Sequence, residues 1–315
     1  MDPARSRSFE SSTDAIAPFL REHHAISSTR VLVIGSSGQL GSELLEAFDG
    51  AEVTGLDHAS IEIESAASIE RALSQHRPDV IVNAAAFHNV ELCETCPDRA
   101  FAVNALAVDE LAAQVSRVGA RMVHISTDYV FDGKSTMPYV ETDSVGPLSV
   151  YATSKVAGEY LLARHGERHA IVRTSGLYGI RGSRTKGHTF IERMLSRAEA
   201  GETLEVVTDV VFSPSYARHV ARAIGRIVAL DAGGIYHVTN SGYCSWFDFA
   251  HEILRQANLS ADLRQTTSER LPSKVRRPAF SALRHAAMER AGLPAMPSWQ
   301  DGISDYLRER AAQKG

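Results

Sequence analysis

The sequence predicts a doubly wound parallel α/β sheet, of the Rossmann kind, with a smaller C-terminal lobe. Three observations carry this. Short apolar runs alternate with helix-like stretches along most of the chain. The first run ends in Gly35-Ser36-Ser37-Gly38-Gln39-Leu40-Gly41, and the second ends on an acid, Asp57.

The chain has 315 residues, 44% hydrophobic and 23% charged, enough for one large domain or two smaller ones. Net charge is −5 without a block of like charge, which argues against a nucleic-acid or membrane surface as partner. No apolar run approaches the roughly 20 residues that span a bilayer. Cys93, Cys96 and Cys244 are the three cysteines. Three cannot complete a disulfide framework, so a reducing, cytoplasmic setting is expected. The spacing Cys93-x-x-Cys96 is redox- or zinc-like; a metal reading needs a second ligand pair, for which His88 is the one nearby candidate, and two half-buried helix residues without metal or redox function are expected.

Residues 1–28 lack a long apolar core. The stretch 15–20 is too short, and broken by Pro18, for a secretory signal. A mobile arm is expected, with one short helix around residues 12–24. Residues 30–34 are continuously apolar after Arg30, as in a parallel strand buried on both faces. The glycine turn follows, then a helix over residues 42–48. Here Gly35 permits the tight turn, Gly38 lets backbone approach a pyrophosphate, and Gly41 lets helix and sheet pack closely. Backbone N–H groups around Ser37, Gln39 and Leu40 would face the phosphates.

Residues 52–56 form the next strand. Asp57 follows, about 20 residues past the glycines, where an acid can bond a ribose 2′-OH and repel a 2′-phosphate. That leans towards NAD or dual use. Residues 69–76 read as helix and 79–83 as strand. Asn83-Ala84-Ala85-Ala86 then offers small residues against which a flat ring can lie. His88, Asn89 and Glu91 fall in a strand-end loop, where ligand contacts concentrate, and residues 97–118 read as one long amphipathic helix.

Residues 121–125 form a β-rich strand running into Ser126 and Thr127. After a loop, residues 151–162 read as helix, with Tyr151 and Lys155 one turn apart on one face. That spacing suits a proton donor and its tuner. A free phenol with a pKa of about 10 exchanges protons poorly near neutrality, and an adjacent ammonium lowers it. Thr127 could offer a hydroxyl to the same oxygen. Residues 169–173 are a further strand, and 181–188 a basic, glycine-rich loop that suits a lid, a phosphate contact or plain solvent. Helices are expected at 189–200, 217–230, 245–257 and 298–311, with a strand at 234–238.

Taken together, these residues resemble the extended short-chain dehydrogenase/reductase superfamily, and within it the dTDP-4-dehydrorhamnose reductase family. The specific pieces are the three glycines, Val82-Asn83-Ala84-Ala85-Ala86, Phe101-Ala102-Val103-Asn104-Ala105, and His124 through Gly133. To these add Pro147 through Lys155, Ser213 through Tyr216, and Arg277-Pro278. The resemblance covers about Val31 to Leu307. It implies a dinucleotide-binding domain at 29–175 and a mainly substrate-binding lobe at 176–315, some of whose segments return to the first domain. It implies a catalytic Thr127, Tyr151 and Lys155, NADPH or NADH as cofactor, and a nucleotide-linked 6-deoxyhexose reduced at its 4-keto group. Cofactor contacts extend to Asn104 and Ser126, and substrate contacts to His88, Asp128, Val130, Tyr178 and Arg277. A homodimer is the assembly to look for.

The chain departs from the family pattern at Ser149, where Asn is usual, at Ala152, where Gly is usual, and at Glu91, where Asp is usual. Related sugar dehydratases carry a glutamate acid where this chain has Tyr129, which argues against elimination. An epimerase needs the same Tyr and Lys. A regulatory protein resembling the beta subunit of methionine adenosyltransferase is the non-enzymatic alternative.

Overall fold

Six parallel strands form the central sheet of the computed structural model, which describes residues 28–181, 189–270, 273 and 275–314. They include β1 (Arg30–Ile34), β2 (Glu52–Leu56), β3 (Val80–Asn83), β4 (Arg121–Thr127) and β5 (His169–Thr174). The sixth, Gly234–His237, lies at the edge beside β5, and the order from that edge is Gly234–His237, β5, β4, β3, β1, β2. Strand order therefore reverses between β1 and β3, and the carboxyl ends of those strands open a crevice there. The expected arm and the basic loop at 182–188 lie outside the described residues.

Period-two alternation explains the layers. Val31 and Val33 point into one core, with helix α1 (Gln39–Leu44) and the Val220, Ile224 and Ile227 face of a later helix, Ala217–Ala229. Leu32 and Ile34 point into the other, against α2 (Ala66–His76) and the Val108, Leu111 and Val115 face of Ala107–Arg117. Both faces of β1 are thus covered, which is why its sequence is continuously apolar. The helix at 217–229 and the strand at 234–237 both pack with this sheet.

Two expectations about helices need correction. The segment after β3 is not all loop: α3 (Val90–Thr95) starts where the Asn89 side chain accepts from the Leu92 N–H at 3.0 Å. The single helix expected over 97–118 is in fact α4 (Pro97–Phe101), a π turn at Ala102–Leu106, and α5 (Ala107–Arg117). The π turn meets α6 (Val150–Ala163) at Gly158, where an added Cβ would lie 2.1 Å from the Asn104 carbonyl oxygen. Ser149 caps α6 by accepting from the Ala152 N–H, a task the more usual asparagine also performs.

A separate apolar core lies in the C-terminal half. Ile191, Met194 and Leu195 of α7 (Phe190–Glu199) pack there with Phe212, Phe249, Trp299, Ile303 and Tyr306. Short strand pairs frame it, among them Leu204–Val207 alongside Leu263–Thr266. No helix among the described residues is long and apolar enough to cross a membrane, and those residues hold no cluster of three or more His, Cys, Asp or Glu side chains fit for a metal.

Candidate active site

The glycine turn and the end of β3 are in direct backbone contact. Gly35 has φ +85°, and a Cβ there would lie 2.8 Å from the Ala85 nitrogen. A Cβ on Gly41 would lie 2.0 Å from the Gly35 carbonyl oxygen. Only glycine fits either place. Gly38 is the extended N-cap of α1, and no side chain caps that helix start. The helix begins at Gln39, three residues before the expected position, so its first-turn N–H groups sit in the glycine turn itself. The Leu40 side chain points away into the core, leaving only its backbone for a ligand. Ser37 sits half-buried in the same turn.

Asp57 closes β2. Its Oδ1 accepts from the Ala59 N–H at 3.0 Å and from the Ser60 hydroxyl at 3.1 Å. The carboxylate is therefore held at the strand end by its own turn.

Asn83 is fully buried at the end of β3, and its Oδ1 accepts from the Ala85 N–H at 3.1 Å. This fixes the path of Ala84, Ala85 and Ala86 past the glycine turn. Asn104 is also buried. It accepts from the Phe87 N–H at 2.8 Å and donates to the Phe87 carbonyl and the Ser154 hydroxyl, both at 3.0 Å. Its hydrogen bonds are spent within the protein, so it holds the loop after β3 rather than meeting a cofactor. Ser126 departs from expectation in the same way. Its hydroxyl donates to Glu159, which is bridged by the buried Arg173 guanidinium at 2.7 Å.

The β4 end carries Thr127, and α6 carries Tyr151 and Lys155. The Thr127 hydroxyl donates to Asp128 Oδ1 at 3.2 Å and accepts from the Tyr129 N–H. Burial pushes the Tyr151 phenol well up, the nearby Thr127 hydroxyl opposes that, and Asp128, Tyr129 and Cys93 push it further. The phenol is a protonated donor at rest. Lys155 is buried one turn on, and burial pulls its ammonium down to about 8 against the raising effect of Glu159. Its Nζ bonds the Ile125 carbonyl at 2.7 Å and faces His124 at 3.0 Å. The lysine is directed at the sheet, and the expected lowering of the phenol by Lys155 is not what this geometry produces.

Tyr129 packs edge-on against Tyr151, ring centres 6.2 Å apart. Its phenol is pushed up to about 12 mainly by burial, and the nearby Arg277 guanidinium opposes that. Arg277 in turn pairs with Glu91 of α3 and donates to Ser273 at 2.9 Å. His88 lies half-buried in the loop between β3 and α3. Asp128 is buried, accepts from Ser175 and Ser281 at 2.7 and 2.6 Å, and is pushed up to about 6 by desolvation. It ties the β4 end to two later segments rather than presenting itself to a ligand.

Two expected substrate contacts lie elsewhere. Val130 is fully buried with Phe131, Tyr139 and Leu283. Tyr178 is buried in the C-terminal core, 5.8 Å from the Tyr216 ring. Conversely, the contact of His124 with Lys155, the packing of Tyr129 on Tyr151 and the pairing of Glu91 with Arg277 were not expected from the sequence. Each joins residues far apart in the chain, and no local pattern marks them. The Cys93 thiol donates to the Phe87 carbonyl and is pushed up to about 11 by burial, while Cys96 is exposed. Cys93 therefore serves the loop after β3.

Residues 29–312 match the family described as RmlD substrate binding domain. The chain is 40% identical over 286 residues to the spore coat polysaccharide biosynthesis protein SpsK of Bacillus subtilis, covering 90% of this chain and 99% of that protein. It is 32% identical to the dTDP-4-dehydrorhamnose reductase of Escherichia coli, covering 89% of this chain and 97% of the other. Among solved structures, the dTDP-4-dehydrorhamnose reductase from Bacillus anthracis in complex with NADP superposes with a TM-score of 0.85 at 32% identity, over 90% of this chain and 99% of that one. The chain belongs to the RmlD substrate binding domain family.

Proposed function

We propose that this protein reduces the 4-keto group of a dTDP-linked 6-deoxyhexose, using NADPH or NADH. The observation that carries the reading is that Thr127, at the end of β4, acts on the buried Tyr151 phenol of α6, in a fold whose glycine turn leaves no room for a Cβ at Gly35 or Gly41. Relatives named as dTDP-4-dehydrorhamnose reductases and a neighbour holding NADP support it.

The residues present fit a dinucleotide. The glycine turn and the uncapped start of α1 would take the pyrophosphate, and Ala84 to Ala86 would run past the nicotinamide ribose. The cofactor supplies a hydride when bound. Thr127 and Tyr151 would hold the substrate carbonyl oxygen between two hydroxyls. As negative charge develops on that oxygen, the Tyr151 phenol gives up its proton, leaving an alcohol on the sugar. The ammonium form of Lys155 would bond the ribose and place the ring against the carbonyl. Arg277, at the rim, would meet the diphosphate once it leaves Glu91. The separate C-terminal core supports a substrate-binding lobe in residues 176–315.

The test follows NADPH and NADH absorbance with purified protein and dTDP-4-keto-6-deoxyglucose, its 3,5-epimerised form and the UDP counterparts. Oxidation with a dTDP-linked 4-keto sugar is expected. Tight cofactor binding without turnover on any of the four would overturn the reading and favour a regulatory protein.

A further inference from the structure

A hydrogen-bonded line runs through the sheet from the end of β3 to Lys155. The Ala85 N–H donates to Asn83 Oδ1 at 3.1 Å. Asn83 Nδ2 lies 3.3 Å from His124 Nδ1, and His124 Nε2 lies 3.0 Å from Lys155 Nζ. Lys155 Nζ donates onward to the Ile125 carbonyl at 2.7 Å. Asn83, His124 and Lys155 are all at most 1% exposed, so water does not relax the pattern.

The direction of each bond follows from one fixed donor. A backbone N–H can only donate, so Asn83 turns its oxygen to Ala85 and its NH2 to His124. An NH2 can only donate, so His124 Nδ1 accepts. Burial lowers the His124 pKa, and the ring is neutral. A neutral imidazole that accepts at Nδ1 carries its hydrogen on Nε2. That N–H points at Lys155 Nζ, which must offer a lone pair. An ammonium has none. For Lys155 to be charged, the imidazole hydrogen must move to Nδ1 and the Asn83 amide must turn over, which sets its NH2 against the Ala85 N–H.

We propose that His124 and Asn83 are positioning residues that set the charge of Lys155. The line from Ala85 holds the lysine as an amine, and the ammonium forms only as the imidazole hydrogen passes to Nδ1. The proposal rests on the reductase reading for its catalytic consequence, since the ammonium is the form assigned to the ribose. The surrounding charges do not replace this device. Glu159 on the same helix favours the ammonium, but that carboxylate is paired with Arg173 of β5. Asp128, after β4, and Cys93 of α3 act on Tyr151. Burial works in the same direction as the line, and together they bring the lysine transition close to neutrality.

The test is nitrogen-15 imidazole spectroscopy of the full chain, with the His124 signal assigned by its loss in His124→Gln. Through the Lys155 titration, at about pH 8, the ring is expected to stay neutral while its hydrogen moves from Nε2 on the alkaline side to Nδ1 on the acid side. A hydrogen that stays on one nitrogen throughout, or a ring that gains a second proton there, overturns the proposal. The alkaline limb of kcat/KM gives the second readout. His124→Gln offers a carbonyl oxygen to the ammonium and should move the limb up by about one pH unit, and His124→Phe, which removes the N–H that holds the amine, should move it up by less. An unmoved or lowered limb in both contradicts it. The ring spectra of the unsubstituted chain carry the test if the variants do not fold. They also separate the two ideas, because an absent reductase activity would leave the tautomer change readable.

Discussion

Arg277 pairs with Glu91 although 186 residues separate them, and the same guanidinium acts electrostatically on the Tyr129 phenol, whose ring packs on Tyr151. One cation thus ties α3 to a C-terminal segment at the rim of the candidate site. Glu91 is half exposed, and pairs of this kind contribute about 0–1 kcal/mol. A diphosphate can therefore displace it. Glu91→Gln should lower KM for the nucleotide sugar by up to about fivefold, the kinetic equivalent of that energy. Arg277→Gln should raise KM about tenfold or more, with kcat little changed. Steady-state kinetics on both variants decides it, and unchanged KM values would remove Arg277 from the substrate's path.

Asp128 predicts a pH dependence of stability. Its folded-state pKa, about 6, lies above the ordinary carboxyl value of about 3.9. Below about pH 4 the group is protonated in both states and costs nothing. As pH rises through this window the unfolded chain loses the proton first, so the folded state is penalised, up to ~3 kcal/mol above pH 6. Relative to Asp128→Asn, the native protein should therefore lose stability between about pH 4 and 6. Urea midpoints of the two proteins across that range give the difference curve. A flat difference would show that the buried carboxyl keeps its ordinary pKa.

Gly158 is where α6 meets the π turn, with 2.1 Å between a notional Cβ and the Asn104 carbonyl oxygen. Backbone cannot yield as a side chain does, so Gly158→Ala should cost ~2 kcal/mol or more. Because Asn104 also holds Phe87, KM for the cofactor should rise as well. Urea unfolding and cofactor titration check the two effects, and a variant of native stability would mean that the helices slide apart freely.

Much of the fold was legible because burial leaves a period in the sequence. β1 and β2 fall where the apolar runs are, and the glycines mark the turn between β1 and α1. The site is proposed at Thr127, Tyr151 and Lys155 on their spacing, which follows from one strand end and one helix turn. What was not legible is which way a side chain faces once the chain leaves regular structure. Val130 and Tyr178 stand near motif residues in sequence but turn into cores. Asn104 and Ser126 carry ligand-like groups that the protein itself consumes, through bonds to residues far along the chain. His124 reads as one more strand residue, because only the fold brings α6 across β4.

Asp57 bears on cofactor choice. Its carboxylate is fixed at the end of β2 by Ala59 and Ser60, where it would lie against the adenosine ribose. Asp57→Ala should shift the ratio of kcat/KM values towards NADPH by about tenfold, ~1.4 kcal/mol. An unchanged ratio, measured with both cofactors on the same substrate, would make the residue only a strand terminator.

The central claim is that the Tyr151 phenol protonates the reduced carbonyl oxygen. Single-turnover reduction of a dTDP-4-keto-6-deoxyhexose, with cofactor affinity measured alongside, tests it most directly in Tyr151→Phe. The account predicts a fall in the chemical step of about 10²–10⁴, the range of general acid catalysis, with cofactor affinity kept. A Tyr151→Phe protein that reduces the sugar at the native rate would contradict it.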